Sequence, residues 1–308
     1  MPSWTEHDVA DQSGRVAFIT GANSGIGWDN ARVLAGRGAT VLLGVRSRER
    51  GEDAIQRIRA LHPGADVRLL EIDLSDLESV ARAADEVRSG QSRLDLLINN
   101  AGLMMIPKRK TAQGFEMQLG VNHLGHFALT GQLLPLLQGT DASRVVSVSS
   151  NGHKFGQIRF DDLHGEAGYS PAGAYAQSKL ANLLFTFELQ RRLEAGGRGT
   201  SALAAHPGGS NTNLGRENPG GLGYTLLHVL RPVFERWFTQ SSAMGALPTL
   251  RAAVDPEARG GEYYGPDGRM EQRGHPVRVD SSERSKNRED ARRLWEVSEQ
   301  ATGVEYAF

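Results

Sequence analysis

What most constrains this chain is an alternation. Between Arg15 and about His206, short apolar runs rich in β-formers take turns with longer helical patterns. Such an order reads as parallel strands joined by crossover helices, because a tight turn cannot close a parallel pair. The expected strands are Val16–Thr20, Thr40–Val45, Val67–Ile72, Leu94–Asn99, Arg144–Val148 and Thr200–His206. Each is mostly apolar with little strict alternation, as a strand covered on both faces should be. Between them, Arg48–Leu61 is expected to be a helix with Ala54, Ile55, Ile58 and Leu61 on one face. The fold class follows: a doubly wound, parallel α/β sheet with right-handed crossovers.

A chain of 308 residues is long enough for two domains of ~150 residues, yet single α/β domains fill ~250. With no repeat, low-complexity tract or long linker to mark a seam, one domain over 1–308 is expected, with 1–14 as an N-terminal extension. Apolar residues at 39% and charged residues at 23% suit a substantial core. Lysine and arginine number 35 against 36 acids, so no global basic field speaks for nucleic acid or an anionic membrane. The absence of cysteine removes disulfides and thiolate chemistry, and fits a reducing compartment. The N-terminus shows no basic stretch followed by an apolar run, and no segment reaches ~18 uninterrupted apolar residues. A cytoplasmic protein without an integral membrane segment is the expectation. Beyond His206, Asn213–Gly223 is rich in glycine and asparagine, and Tyr224–Phe238 is apolar and aromatic. Residues 213–243 are therefore expected to form a substrate lid. Glu262–Tyr264 is expected as a last strand, and Asn287–Ala301 as a terminal helix with Ala291, Leu294, Trp295 and Val297 inward.

At the end of the first strand stands Thr20-Gly21-Ala22-Asn23-Ser24-Gly25-Ile26-Gly27. Glycines at a strand-to-helix turn permit positive φ, let the backbone approach a pyrophosphate and leave the helix amides aimed at it. A plain turn uses glycines too, and the strand context favours the dinucleotide reading. The spacing is not G-x-G-x-x-G: three residues separate the first two glycines and one separates the last two. Tyr175 and Lys179, four apart, share one face of a helix. A tyrosine has an ordinary pKa of about 10, so it needs a nearby ammonium to transfer protons near neutral pH. Ser150 follows the Arg144–Val148 strand, at the sheet edge where ligands bind, and can hydrogen-bond a substrate oxygen; Ser149 competes for that role. No acid precedes Glu49 after the second strand, whereas Arg46 could pair with a 2′-phosphate, helped by Ser47 and Arg48. Exposed arginines at a strand end are the bland alternative. The histidines show no paired-ligand spacing, so no metal is expected, and His123, His126 and His206 read as local hydrogen-bonding residues.

The octapeptide resembles the TGxxxGxG signature of the short-chain dehydrogenase/reductases, a family with a Rossmann-type fold. Further elements match in the same order: Asn99-Asn100-Ala101-Gly102, Asn122, Ser149-Ser150 and Tyr175-Ala176-Gln177-Ser178-Lys179. The resemblance covers about Ser13 to Thr212 and continues more weakly to Gly303. FEMQLGVNHLGHFALT, AYAQSKLANLLFTFEL and the 25-residue separation of Ser150 from Tyr175 are similar to the retinol-dehydrogenase-like and protochlorophyllide-reductase-like branch. Trp28 and Asp29 depart from its pattern, which has smaller or aliphatic residues there. The resemblance implies a catalytic set of Asn122, Ser150, Tyr175 and Lys179, with Lys179 also holding the nicotinamide ribose and Asn122 a proton-relay water. For the cofactor it implies Gly21, Asn23, Ser24, Gly25, Ile26 and Gly27 at the phosphates, and Asp73 and Leu74 at the adenine. Asn100, Ala101 and Gly102 would follow, with Pro207, Gly208 and Thr212 at the nicotinamide end. The functional expectation is an oxidoreductase using NADP(H) rather than NAD(H) on a lipophilic or bulky carbonyl/alcohol substrate. An alternative from another class is a non-catalytic NADP(H)-sensing protein, which should have lost Tyr175 or Lys179. A homo-oligomer stays open, since helices flanking the tyrosine form dimer surfaces in this family.

Overall fold

In the computed structural model of the protein, residues 3–197, 199–209 and 240–308 are described. The first half runs β1 (Val16–Thr20), α1 (Gly25–Gly36), β2 (Thr40–Val45), α2 (Arg48–Leu61), β3 (Val67–Glu71), α3 (Leu77–Gly90) and β4 (Leu96–Asn99). A short α4 (Met117–Leu119) passes through a π-helical turn, Gly120–Leu124, into α5 (Gly125–Gln138). Then come β5 (Arg144–Val148), α6 (Pro171–Ala195), β6 (Ser201–Ala205), α7 (Ser242–Val254), β7 (Tyr263–Pro266), β8 (Pro276–Arg278) and α8 (Arg288–Thr302). The eight strands form one sheet in the order β3-β2-β1-β4-β5-β6-β7-β8, parallel except for β8.

Side chains alternate across the pleat and so feed two cores. Ala17 and Ile19 of β1 pack with α1, α2 and α7, whereas Val16 and Phe18 pack on the opposite side with α3, α5 and α6. Each fully buried large apolar side chain contributes ~1.5–3 kcal/mol, which fixes the register β1 adopts against β2, Val16 opposite Thr40 through Thr20 opposite Gly44. The strand order reverses between β1 and β4, and the carboxyl ends of strands at such a switch point form a ligand crevice.

The structure moves several expected boundaries. β3 stops at Glu71 rather than Ile72, β4 begins at Leu96 rather than Leu94, and β6 spans Ser201–Ala205 rather than Thr200–His206. The late strand runs Tyr263–Pro266, and the antiparallel β8 was not expected at all. Leu61 is 58% exposed because α2 ends there, one turn beyond its contact with the sheet. In α8, Ala291, Leu294 and Trp295 are buried as expected, but Ser298 rather than Val297 continues the inward stripe. The N-terminal extension is docked: Val9 is buried, and Arg32 on α1 pairs with Glu6 at 2.7 Å. Thr212, expected at the nicotinamide end, lies outside the described residues, as does most of the expected lid, including Tyr224–Phe238. Its last positions, Ser242 and Ala243, open α7, whose first turn is capped by the Ser241 hydroxyl accepting from Met244 N.

Candidate active site

The crevice at the switch point is a cleft of about 710 Å³. Its floor is the β1–α1 turn. Gly21 and Gly25 sit at φ +67° and +57°, a region that disfavours any side chain. At Gly27 an added Cβ would stand 2.5 Å from both Gly21 O and Asn100 Nδ2, so this helix can close on the strand only as glycine. Ser24 caps α1 without spending its hydroxyl on the helix. The backbone of Asn23 is held from α2, where Arg57 donates to its carbonyl at 2.8 Å. Trp28 explains itself here: its indole donates to Ala54 O at 3.2 Å, and the Arg57 guanidinium lies over its ring. Asp29 is buried next to Arg32 at 3.6 Å and does not line the cleft.

One hydroxyl ties this turn to β4. Thr20 Oγ1 accepts from Asn100 N and Ala101 N, both at 3.0 Å, and contacts His126 Nε2 at 2.8 Å. His126 Nδ1 faces the Asn122 carbonyl at 3.0 Å, so the ring proton is on Nδ1 and Nε2 takes the Thr20 proton. Burial pushes His126 down to about 4, which keeps the ring neutral. Thr20 and His126 were legible only as a motif letter and a local hydrogen-bonding residue. Asn100 Nδ2 adds a bond to Thr20 O at 2.8 Å.

The reacting end is built by β5 and α6. Tyr175 and Lys179 share the buried face of α6, with the Lys179 ammonium 5.9 Å from the phenol ring centre. Burial pushes the Tyr175 phenol up, opposed by the Ser150 hydroxyl beside it. Lys179 Nζ donates to Val148 O at 3.0 Å, and burial brings the lysine itself down to about 8. The two serines differ in what their hydroxyls bond. Ser149 lines the cleft but its Oγ donates to Lys179 O at 2.8 Å, whereas Ser150 Oγ faces Tyr175 and accepts from Gly152 N at 3.1 Å. Asn122, on the π-turn, is fully engaged: Oδ1 accepts from Leu103 N at 2.7 Å, and Nδ2 donates to Leu103 O and Ser178 Oγ. An added Cβ at Gly102 would lie 3.2 Å from Asn122 Oδ1 and 3.4 Å from Lys179 Nζ, so the glycine leaves the lysine its room.

Toward the other end, Asp73 lines the cleft with its Oδ1 taking Ser75 N and Oγ, and Leu74 follows as a buried wall. Arg46 and Ser47 line the cleft after β2, and so does Arg50, which the sequence reading missed. Arg50 stands one helical turn beyond Arg46 on the first turn of α2, whose N-cap is Ser47. Arg48, expected as a helper, points away and pairs with Glu71 at 2.5 Å. Pro207 reaches the cleft; Gly208, at φ +65°, instead packs under Gln272 O.

The profile described as short chain dehydrogenase matches residues 15–220. The chain belongs to the short-chain dehydrogenase family. This short-chain dehydrogenase is 42% identical to retinol dehydrogenase 12 of Mus musculus, over 95% of its length and 88% of the relative's. It is 40% identical to retinol dehydrogenase 14 of Homo sapiens, covering 94% and 87% respectively. Among solved structures it resembles an uncharacterized protein from Mycobacterium paratuberculosis at 44% identity and a TM-score of 0.82, with both chains fully covered. It also resembles the RhlG/NADP active-site complex of Pseudomonas aeruginosa at 25% identity and a TM-score of 0.63, over 82% of this chain and 95% of that one. The dehydrogenase is thus a nicotinamide-dependent oxidoreductase acting on an alcohol/carbonyl pair. No helix among the described residues is long and apolar enough to cross a membrane.

Proposed function

We propose that this dehydrogenase uses NADP(H) to interconvert a lipophilic aldehyde or ketone and its alcohol, with Tyr175 as the acid/base. The observation that carries the reading is the buried Tyr175 phenol, which lines the cleft beside the Ser150 hydroxyl with Lys179 one turn away. The residues present fit a dinucleotide: Gly21, Gly25 and Gly27 line the cleft where the first strand meets the N-terminus of α1, a place suited to a pyrophosphate, and the Ser24 hydroxyl beside them is not used in capping the helix. When bound, the nicotinamide supplies or takes the hydride. In reduction Tyr175 gives its phenolic proton to the carbonyl oxygen, and Ser150 hydrogen-bonds that oxygen as charge gathers there. Lys179, held by Val148 O, keeps a positive charge beside the phenolate left behind. Asn122 acts through scaffolding, by fixing Leu103 and Ser178 around the lysine.

NADP(H) over NAD(H) rests on Arg46 and Arg50, exposed at the rim with no side-chain partner among the described residues. Glu49 also lines that rim and would serve a bare ribose instead. A lipophilic substrate is supported by Leu103, Met104, Ile106 and Met117 in the cleft, and by relatives named for retinol. Arg46→Asp should lower the NADPH:NADH preference by roughly 10- to 100-fold, as expected for losing a charge-assisted bond of about 1.5–3 kcal/mol. Steady-state assays of both cofactors against aldehydes of graded length check this. A wild type that prefers NADH would hand the role to Glu49.

A further inference from the structure

A turn far along the chain grips the reacting end from outside. Met270 and Glu271 are consecutive non-glycine residues at φ 56° and 55°. Left-handed backbone is disfavoured for residues with side chains and persists where the surroundings hold it. The Glu271 carboxylate meets Lys154 Nζ at 3.2 Å and His206 Nε2 at 3.0 Å. The second is a close approach without an aligned hydrogen bond, and burial lowers His206 so that the ring is neutral. His206 Nδ1 accepts from Gly208 N, which places the ring proton on Nε2, toward the carboxylate. β7 makes room for that ring with Gly265, where any Cβ would collide with it. On the backbone, Asn151 Nδ2 donates to Met270 O and Glu271 O, both at 3.3 Å, and Gln272 O accepts from Gly209 N at 2.9 Å.

These contacts converge on two loops. Asn151 and Lys154 belong to the short turn Asn151–Phe155 that begins directly after Ser150, and His206 to Gly209 form the loop that brings Pro207 to the cleft. We propose that Glu271 is a positioning residue for Ser150: by fastening Asn151–Phe155 to the β6 loop, it holds the Ser150 hydroxyl against Tyr175. The inference rests on the carbonyl/alcohol reading above. The carboxyl is ionised in this role, because His206 and Lys154 hold it below the usual carboxylate range. Its partners bond through Ser150's immediate neighbours, and His153 Nδ1 closes the same turn onto Ser150 O at 2.6 Å.

The test pairs kinetics with hydrogen exchange in the full chain. Glu271→Gln, nearly isosteric, should lower kcat for aldehyde reduction by about tenfold while KM and NADPH affinity stay within about twofold. In a Ser150→Ala background the same change should cost less than about twofold, because a residue acting through Ser150 has nothing left to position. Amides of residues 151–156 should exchange about tenfold faster in Glu271→Gln, with those of β5 unchanged. Lys154→Met should reproduce both effects if Glu271→Gln folds poorly. Equal losses in both backgrounds, or unchanged kcat and exchange, would overturn the proposal. A wild type that reduces no carbonyl with NADPH would sink the functional reading instead, while the exchange measurement would still decide whether Glu271 fastens the loop.

Discussion

Lys179 illustrates how a single residue can serve the site at the expense of the fold. An unfolded lysine keeps its proton up to about 10.5, whereas the folded one releases it near 8. Unfolding therefore takes up a proton between those values, and stability rises with pH across that window. Below pH 8 the burial cost is fully present, about 3 kcal/mol. Lys179→Met should raise the Tm of the cofactor-free protein at pH 7 and lose that advantage by about pH 10.5, since Asn182 still donates to Val148 O. A gain of equal size at both pH values would show that charge is not its cause. The phenol carries the opposite signature. Tyr175→Phe should abolish turnover and leave NADPH affinity nearly intact, and wild-type alcohol oxidation should climb with pH because burial holds the proton on Tyr175. Turnover within about tenfold of wild type in the Phe variant would remove Tyr175 from the chemistry. That Tyr175 and Lys179 meet on one buried face of α6 at the cleft was readable in sequence, because a spacing of four reports it directly. Arg50 was not: it lies in the first turn of α2, and nothing in the letters says that the helix turns Arg50, rather than Arg48, to the cleft.

At the scale of elements, the clasp between the β1–α1 turn and β4 depends on Thr20. Its hydroxyl is the acceptor for two backbone amides, those of Asn100 and Ala101. Thr20→Val keeps the shape and orphans both, so it should cost about 2–4 kcal/mol in urea unfolding and weaken NADPH binding. Thr20→Ser should retain most of both. A Val variant as stable as wild type would mean that the turn does not need this anchor. The parallel strands were legible because burial on both faces makes them long apolar runs, as in β1, β2 and β5. β8 was hidden for the converse reason: Pro276–Arg278 is a three-residue edge strand with one buried side chain, too short for any period. The π-turn at Asn122 left no sequence signal either, although it places the residue whose amide fixes Leu103.

For the molecule as a whole, the sheet is closed on one side by an aromatic cluster drawn from distant parts of the chain. Tyr306 packs on Phe127 and Trp295 at 4.8 and 4.5 Å between ring centres, and its hydroxyl donates to Phe127 O at 2.6 Å. Tyr306→Ala should cost about 3–5 kcal/mol, read as a shift in denaturant midpoint with an unchanged slope. A loss under about 1 kcal/mol would mean that this tail only decorates the core. The fold class was legible from the alternation alone, whereas this closure was not, because aromatic residues without a period give no hint of their partner. The placement of Tyr175 on a wall of the cleft, with Ser150 beside it, has a further consequence for the product of the proposed reaction. If the substrate oxygen is drawn to Tyr175 as proposed, with the glycine turn on the switch-point side of the cleft, the two prochiral faces of a carbonyl meet different surroundings. Reduction of an unsymmetrical ketone should accordingly yield one enantiomer, and deuterium carried from a labelled cofactor should appear in a single configuration at the new stereocentre.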